Sequence, residues 1–280
     1  MVPSVSAPSR RRLASLVLVA VLGAAIVAPG AAVATTTTID AAGLSSLESA
    51  MVAALNADRA AYGLVAVRVD PRLMAIARAR SGDMVAKDYF SHTQPDGRNV
   101  FNILTAGQIT WYSAGEIIAM NNYPIDSTVS AANRQWMNSA GHKAIIISSN
   151  FNYVGVGLAI DPATGKKLWT AVYLKGPDRT GARATVTGAG LRAGSTAANR
   201  YVKLTWTGYD PRLQVLTAGL GSFVVQRRID GGAWVTAVSA TTLTYANFQV
   251  GVGHRTEFRV AARDKRGNLG AWVTKVIDLR

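Results

Sequence analysis

The sequence predicts two successive domains, an α+β domain and then an all-β domain. Three observations carry this. Apolar residues recur at helical spacing in several segments between Ser45 and Trp136. A strand–turn–strand pattern follows from Tyr153 to Leu174, with turn residues between Asp161 and Gly165. Beyond Arg183 every clear element is a short alternating strand, with turns at Asp230–Gly232 and Asp264–Gly267. A chain of 280 residues with 49% apolar and 16% charged residues suits a globular protein of one large or two modest domains.

The first residues read as a targeting segment. Arg10, Arg11 and Arg12 precede an apolar run from Leu13 to Ala28, and Ala32 and Ala34 supply small residues for cleavage. Residues 1–34 are therefore expected to be a signal peptide and the mature chain to be secreted, beginning near Thr35. The sequence contains no cysteine. That excludes a disulfide framework, a thiolate zinc cluster and a thiol nucleophile.

The elements of the first domain, 35–178, follow in order. Ser45 and Glu48 have capping-box spacing before Leu47, Met51 and Leu55, and Gly63 ends that helix. Asp70 and Pro71 start a second helix through Leu73, Ile76, Ala77 and Met84 to about Lys87. A short third helix carries Val100, Phe101 and Leu104. A fourth, capped by Asp126 or Ser127, runs through Val129, Ala132 and Trp136 to near Gly141. Trp111–Met120 is a candidate strand. Tyr153–Ile160 and Leu168–Leu174 form the hairpin, with Gly155 and Gly157 marking close backbone approach. Helices first and a hairpin last fit a sheet covered by helices.

Between the second and third helices lies Tyr89-Phe90-Ser91-His92, followed by the turn Pro95-Asp96-Gly97. His92 is one of three histidines in the chain. A second, His142, follows Trp136, Ser139 and Gly141, and Glu116 lies between them. Asn56, Arg59, Gly63, Phe90, His92, Gly97, Gly115, Glu116, Trp136, Ser139, His142 and Tyr153–Gly157 stand in one order. This series resembles the CAP superfamily of cysteine-rich secretory, antigen-five and pathogenesis-related-one proteins, in a cysteine-free bacterial form. The resemblance spans roughly Ser46 to Lys175. It implies a three-layer α-β-α sandwich and a cleft lined by His92, Glu116 and His142. Ile117 follows Glu116 where the family often has asparagine, and Ser139 stands where it often has a second glutamate. Ser139 and Trp136 are expected to contact a ligand.

Two chemistries fit the trio. Two imidazoles and a carboxylate are ligand types for zinc or another divalent metal, with His92 and His142 as ligands. The same groups serve acid–base catalysis, as in a metal-assisted hydrolase or peptidase. The bland alternatives are a turn-locking His92, a helix-end His142 and an amide-bonded Glu116. No serine stands in a nucleophile elbow, Ser139 and Ser91 included. The leading expectation is binding of a small apolar or peptide-like ligand, with catalysis secondary.

The second domain, 179–280, reads as a β-sandwich with strands at Tyr201–Thr207, Ser222–Arg228, Trp234–Val238, Thr242–Tyr245, Glu257–Ala262 and Trp272–Leu279. Val202–Trp206 and Phe258–Asp264 resemble a fibronectin type III module, although Phe258 replaces the tyrosine common there. Thr35–Asp178 carries 12 Lys/Arg against 11 Asp/Glu, whereas Arg179–Arg280 carries 15 against 5. The positive excess therefore belongs to the second domain. Arg227, Arg228, Arg263 and Arg266 are expected to form a basic face for an anionic cell-wall polymer or lipid. Secretion argues against nucleic acid, and a monomer is expected. His254 is not assigned to the cleft.

Overall fold

The computed structural model describes residues 41–196 and 200–279, which lie within one compact unit. The expected signal peptide lies outside the described residues. Among the described residues, no helix is long and apolar enough to cross a membrane.

The first half is built on a four-stranded sheet of β1 (Arg68–Val69), β2 (Ser113–Asn121), β3 (Tyr153–Ile160) and β4 (Lys167–Lys175). The spatial order is β1-β3-β4-β2, antiparallel except where β1 runs beside β3. Strand alternation gives each face its own core. Ile117, Val154, Val156, Trp169, Ala171 and Tyr173 pack with Met51 and Leu55 of α1 (Ala41–Ala61) and Trp136 of α4 (Thr128–Asn138). On the other face, Val172 and Leu174 meet Leu73 and Ala77 of α2 (Pro71–Ala86) and Val100 and Leu104 of α3 (Val100–Ala106). The sheet thus lies between two helical layers. Gly155 and Gly157 let α2 approach: a Cβ on them would stand 2.1 Å from the Leu73 backbone and 2.2 Å from the Ala77 backbone.

Local starts and stops differ from the sequence reading in two places. α1 begins upstream of the expected capping box, because Glu48 is engaged elsewhere. Its carboxylate is 1% exposed, pairs with Arg78 at 2.5 Å and accepts from the Leu158 amide at 3.2 Å, tying α1 to α2 and β3. The helix end at Gly63 is as expected, with φ +68° and the Leu64 amide donating to the Arg59 carbonyl at 3.1 Å. The expected fourth helix is two: α4 stops at Asn138, Ser139 is extended at ψ 120°, and α5 (Ala140–Ile146) follows. His142 therefore sits inside a separate short helix.

The second half comprises two antiparallel sheets. One holds β11-β10-β7-β8, from β7 (Leu220–Ile229), β8 (Val235–Thr241), β10 (Arg255–Asp264) and β11 (Val273–Asp278). The other holds β5-β6-β9, from β5 (Arg183–Leu191), β6 (Arg200–Tyr209) and β9 (Tyr245–Val250). Val202, Leu204, Trp206, Phe223, Val225, Phe248, Phe258 and Val260 form one core between them. Sequence reading missed β5, whose Gly188 and Gly190 dilute the strand signal, and placed β9 too early. Thr241 Oγ1 accepts the Leu243 amide at 3.0 Å, so that stretch turns before the strand starts.

The expected basic face is also redistributed. Arg227 pairs in register with Phe258 and Arg228 with Glu257, so adjacent arginines point to opposite faces of the sheet. Arg228 bonds Glu257 at 2.8 Å, and Arg227 reaches the Gln249 carbonyl at 3.5 Å. On the outer face Arg228 lies 4.6 Å from the Trp234 ring, and Arg259 lies 4.3 Å from Trp234 and 4.5 Å from Trp272. Arginine and tryptophan thus alternate across β7, β10 and their flanks.

The segment after β6 joins the halves. Leu213 is 1% exposed within the core of α2 and α3. The Asn152 side chain donates to the carbonyls of Gly176 at 2.8 Å and Val215 at 3.2 Å. Gln214 accepts the Val65 amide at 2.7 Å. Nearby, Asp178, Asp210 and Asp264 bring carboxylate oxygens within 4.8 Å of one another. Burial and the other two carboxylates hold Asp210 above the usual carboxylate range.

Candidate functional site

α2 presents Leu73, Ala77, Arg80 and Met84 to the sheet at helical spacing, so one arginine stands in an apolar stripe. Arg80 is fully buried and organises the site. Its Nε donates to Glu116 Oε2 at 3.0 Å, and its Nη2 lies 3.3 Å from Glu116 Oε1. Nη2 also donates to the carbonyls of Ser91 at 2.8 Å and His92 at 3.1 Å. Nη1 donates to the Tyr89 hydroxyl at 2.7 Å. One guanidinium thus fixes the β2 carboxylate and the backbone of the histidine turn. The sequence reading missed Arg80; a charge at a core position of the helical stripe was its signal.

The turn is secured at both ends. The Gln94 amide donates to the Arg98 carbonyl at 2.7 Å, and Gly97 takes φ +84°, which its lack of a Cβ permits. Tyr89 passes its hydroxyl proton toward Asp83 Oδ2 at 2.6 Å, and Gln94 donates to the same oxygen at 2.9 Å. Lys87, Tyr89 and Gln94 together hold the Asp83 carboxyl down at about 2. Burial and Asp83 push the Tyr89 phenol up to about 12.

His92 is held against Glu116, with Nδ1 2.8 Å from Oε1. A carboxylate only accepts, so Nδ1 carries the proton in the neutral ring and Nε2 keeps its lone pair. The His92 side chain is 53% exposed, whereas Glu116 is 3% exposed. His142 is partly buried on α5. Burial, and then the nearby charge of His92, lower its pKa below the ordinary histidine value. The structure thus brings His92 and Glu116 into direct contact, with His142 on the separate helix α5.

The two expected ligand contacts behave differently. Trp136 is 0% exposed in the core between α1, α4 and the sheet, so it does not reach a ligand; its bulk and helical spacing serve packing. Ser139 is half-buried at the break before α5, where its carbonyl accepts the Lys143 amide at 2.8 Å. Its hydroxyl makes no capping bond to the helix. His254 bonds Asp230 at 2.5 Å in the second half, away from this trio in the fold.

Zinc chemistry fits this donor set poorly. A catalytic zinc takes three protein ligands and an open position. Both Glu116 oxygens are already engaged by Arg80 and His92, which leaves two imidazoles. Beside the histidine turn, Met84, Tyr89, Phe90, Met120 and Leu168, together with the charged Asp88, Asp161 and Lys166, line a cavity of about 160 Å³. Phe90 and Met120 are 45% and 40% exposed, an apolar rim open to solvent.

Residues 52–173 match the family described as "CAP: Cysteine-rich secretory protein family". The chain is 34% identical over 148 residues to the uncharacterized protein YkwD of Bacillus subtilis, covering 52% of this chain and 54% of that protein. It is 30% identical over 120 residues to the uncharacterized membrane protein YlbC of the same organism, covering 43% of this chain and 32% of YlbC. The chain thus spans about half the length of one curated relative and about a third of the other. An extracellular SCP-domain protein from Bacillus anthracis superposes with a TM-score of 0.43 at 25% identity, over 49% of this chain and 44% of that one. Residues 52–173 of this chain carry a CAP domain of the cysteine-free bacterial kind.

Proposed function

We propose that this is a secreted envelope protein whose CAP domain binds a small apolar or peptide-like ligand, while its β-rich second half docks to an anionic cell-wall polymer or lipid. The observation that carries the reading is the state of Glu116. Its carboxylate is buried, ion-paired to the fully buried Arg80 and hydrogen-bonded to His92, so both oxygens are engaged in holding the turn. What remains accessible is His92, near a small cavity where Met84, Phe90, Met120 and Leu168 offer apolar contact and Asp88, Asp161 and Lys166 offer charge. The second half is a fibronectin type III-like module in this reading, and its Arg–Trp outer face with Arg263 supplies the docking surface. The protein acts as a monomer, without nucleic acid.

The test uses the full mature chain. Short apolar peptides are titrated while backbone amide resonances are followed by NMR. Saturable shifts at Phe90, His92 and Met120, weakened in His92→Ala and Phe90→Ala, are expected, with the peptides recovered intact. Peptide cleavage by the wild type that Glu116→Gln abolishes would replace this reading with the hydrolase. Co-sedimentation with wall material across a salt series tests docking, which is expected to weaken steeply with salt and in Arg259→Glu/Arg263→Glu.

A further inference from the structure

A cavity of about 470 Å³ opens where β1, the start of α2 and the segment after Asp178 converge, and three arginines line it. They come from three separate stretches: Arg68 from β1, Arg72 from the first turn of α2, and Arg179 from the junction. Asp70 is the carboxylate among the lining residues, and Asp210, outside the lining, also acts on Arg68. Asp70 is 5% exposed and takes Arg72 at 2.6 Å and Arg179 at 3.5 Å. It thereby orients both arginines and neutralises one of them. Arg68 donates through Nη2 to the Pro211 carbonyl at 2.7 Å, while its buried Nη1 has no hydrogen-bond partner. A buried guanidinium nitrogen left unbonded is costly, and an acceptor supplied from the cavity removes that cost. Arg68 also acts on Asp210, whose Oδ1 is likewise buried without a hydrogen-bond partner. Burial and the like charge of Arg72 destabilise the charged form of Arg179, a crowding that an anion relieves.

We propose that this cavity is a binding site for a phosphoryl group, separate from the histidine cleft and from the outer face of the second half. A carboxylate is satisfied by one guanidinium fork. Donors arriving from three directions, with a positive excess, match a tetrahedral phosphoryl anion instead. Arg179 also lies 5.8 Å from the Tyr153 ring, which lines the cavity and offers an apolar surface to whatever carries the phosphoryl group. The site spans the junction of the two halves, so occupancy braces Arg68 and Arg179 together.

The test is a titration of the full mature chain with inorganic phosphate at constant ionic strength, followed by NMR of the arginine Nε–Hε resonances. Saturable shifts confined to Arg68, Arg72 and Arg179 are expected, with acetate far weaker. Arg68→Lys and Arg179→Lys keep the charge and the fold but lose the fork; each is expected to weaken phosphate binding at least about tenfold, while Arg192→Ala leaves it unchanged. A parallel titration with poly(glycerol phosphate) identifies the source. Polymer binding that falls with the same variants assigns the site to a wall polymer, and polymer binding that survives them assigns it to a soluble phosphomonoester. Shifts spread evenly over surface arginines, or acetate binding as well as phosphate, would overturn the proposal.

Discussion

At the residue scale the molecule turns on Arg80. Removing one partner of a buried ion pair leaves the other charge uncompensated, at a cost of about 3–5 kcal/mol. Arg80→Ala is therefore expected to lower stability by about that amount in denaturant unfolding, far more than His92→Ala, whose ring is half exposed. It should also release the histidine turn, since the Ser91 and His92 carbonyls lose their donor. Asp83 gives a pH signature. Its folded carboxyl titrates at about 2 against an ordinary 3.8, so its contribution is present above pH 3.8 and is lost as pH falls toward 2. Acid unfolding of Asp83→Asn should show a shallower loss through that window. Tyr89 should be visible as a phenol that ionises near pH 12 in ultraviolet difference spectra, and Asp83→Asn should bring it down. Glu116 and His92 stood out by their motifs; Arg80 was passed over, although its place in the helical stripe of Leu73, Ala77 and Met84 was legible.

At the element scale, sequence and structure agree where a local rule has no tertiary rival. Asp70 caps α2 through the Arg72 amide, and β3 and β4 form the expected hairpin around Asp161–Gly165. The rule failed at Glu48, where a capping-box spacing was overridden by an ion pair to Arg78. It failed again at Ser139, where one helical pattern hides a break that reorients His142. Strand β5 escaped because its glycines weaken propensity while pairing with β6 still holds it. The glycines of β3 were read correctly, and they give a sharp prediction. Gly157→Ala forces a methyl against the α2 backbone, where no flexible side chain can yield. Overpacking of this kind costs about 1–3 kcal/mol or more, so a clear drop in Tm is expected, whereas Gly141→Ala, whose Cβ meets nothing within 4 Å, should leave Tm nearly unchanged.

At the scale of the whole molecule, the CAP domain and the β-rich half share a junction built from Leu213, Gln214, Val215 and Asn152. Cutting the chain at Asp178 would strip that junction, so the two halves are expected to unfold in one cooperative transition, and Asn152→Ala should lower its midpoint. The charge asymmetry of the sequence was plain, yet its layout was not. Alternation sends Arg227 and Arg228 to opposite faces, and Glu257 neutralises one of them. The candidate trio likewise draws on distant stretches, since His92, Glu116 and His142 come from a turn, a strand and a short helix. Whether those segments make one site is tested most directly by NMR titration of the histidine rings in the wild type and in His92→Ala. The wild-type His142 ring is expected to titrate below the ordinary value of 6.5, and removing His92 should raise it part of the way back, since burial remains. A His142 titration identical in both proteins would contradict a shared cleft.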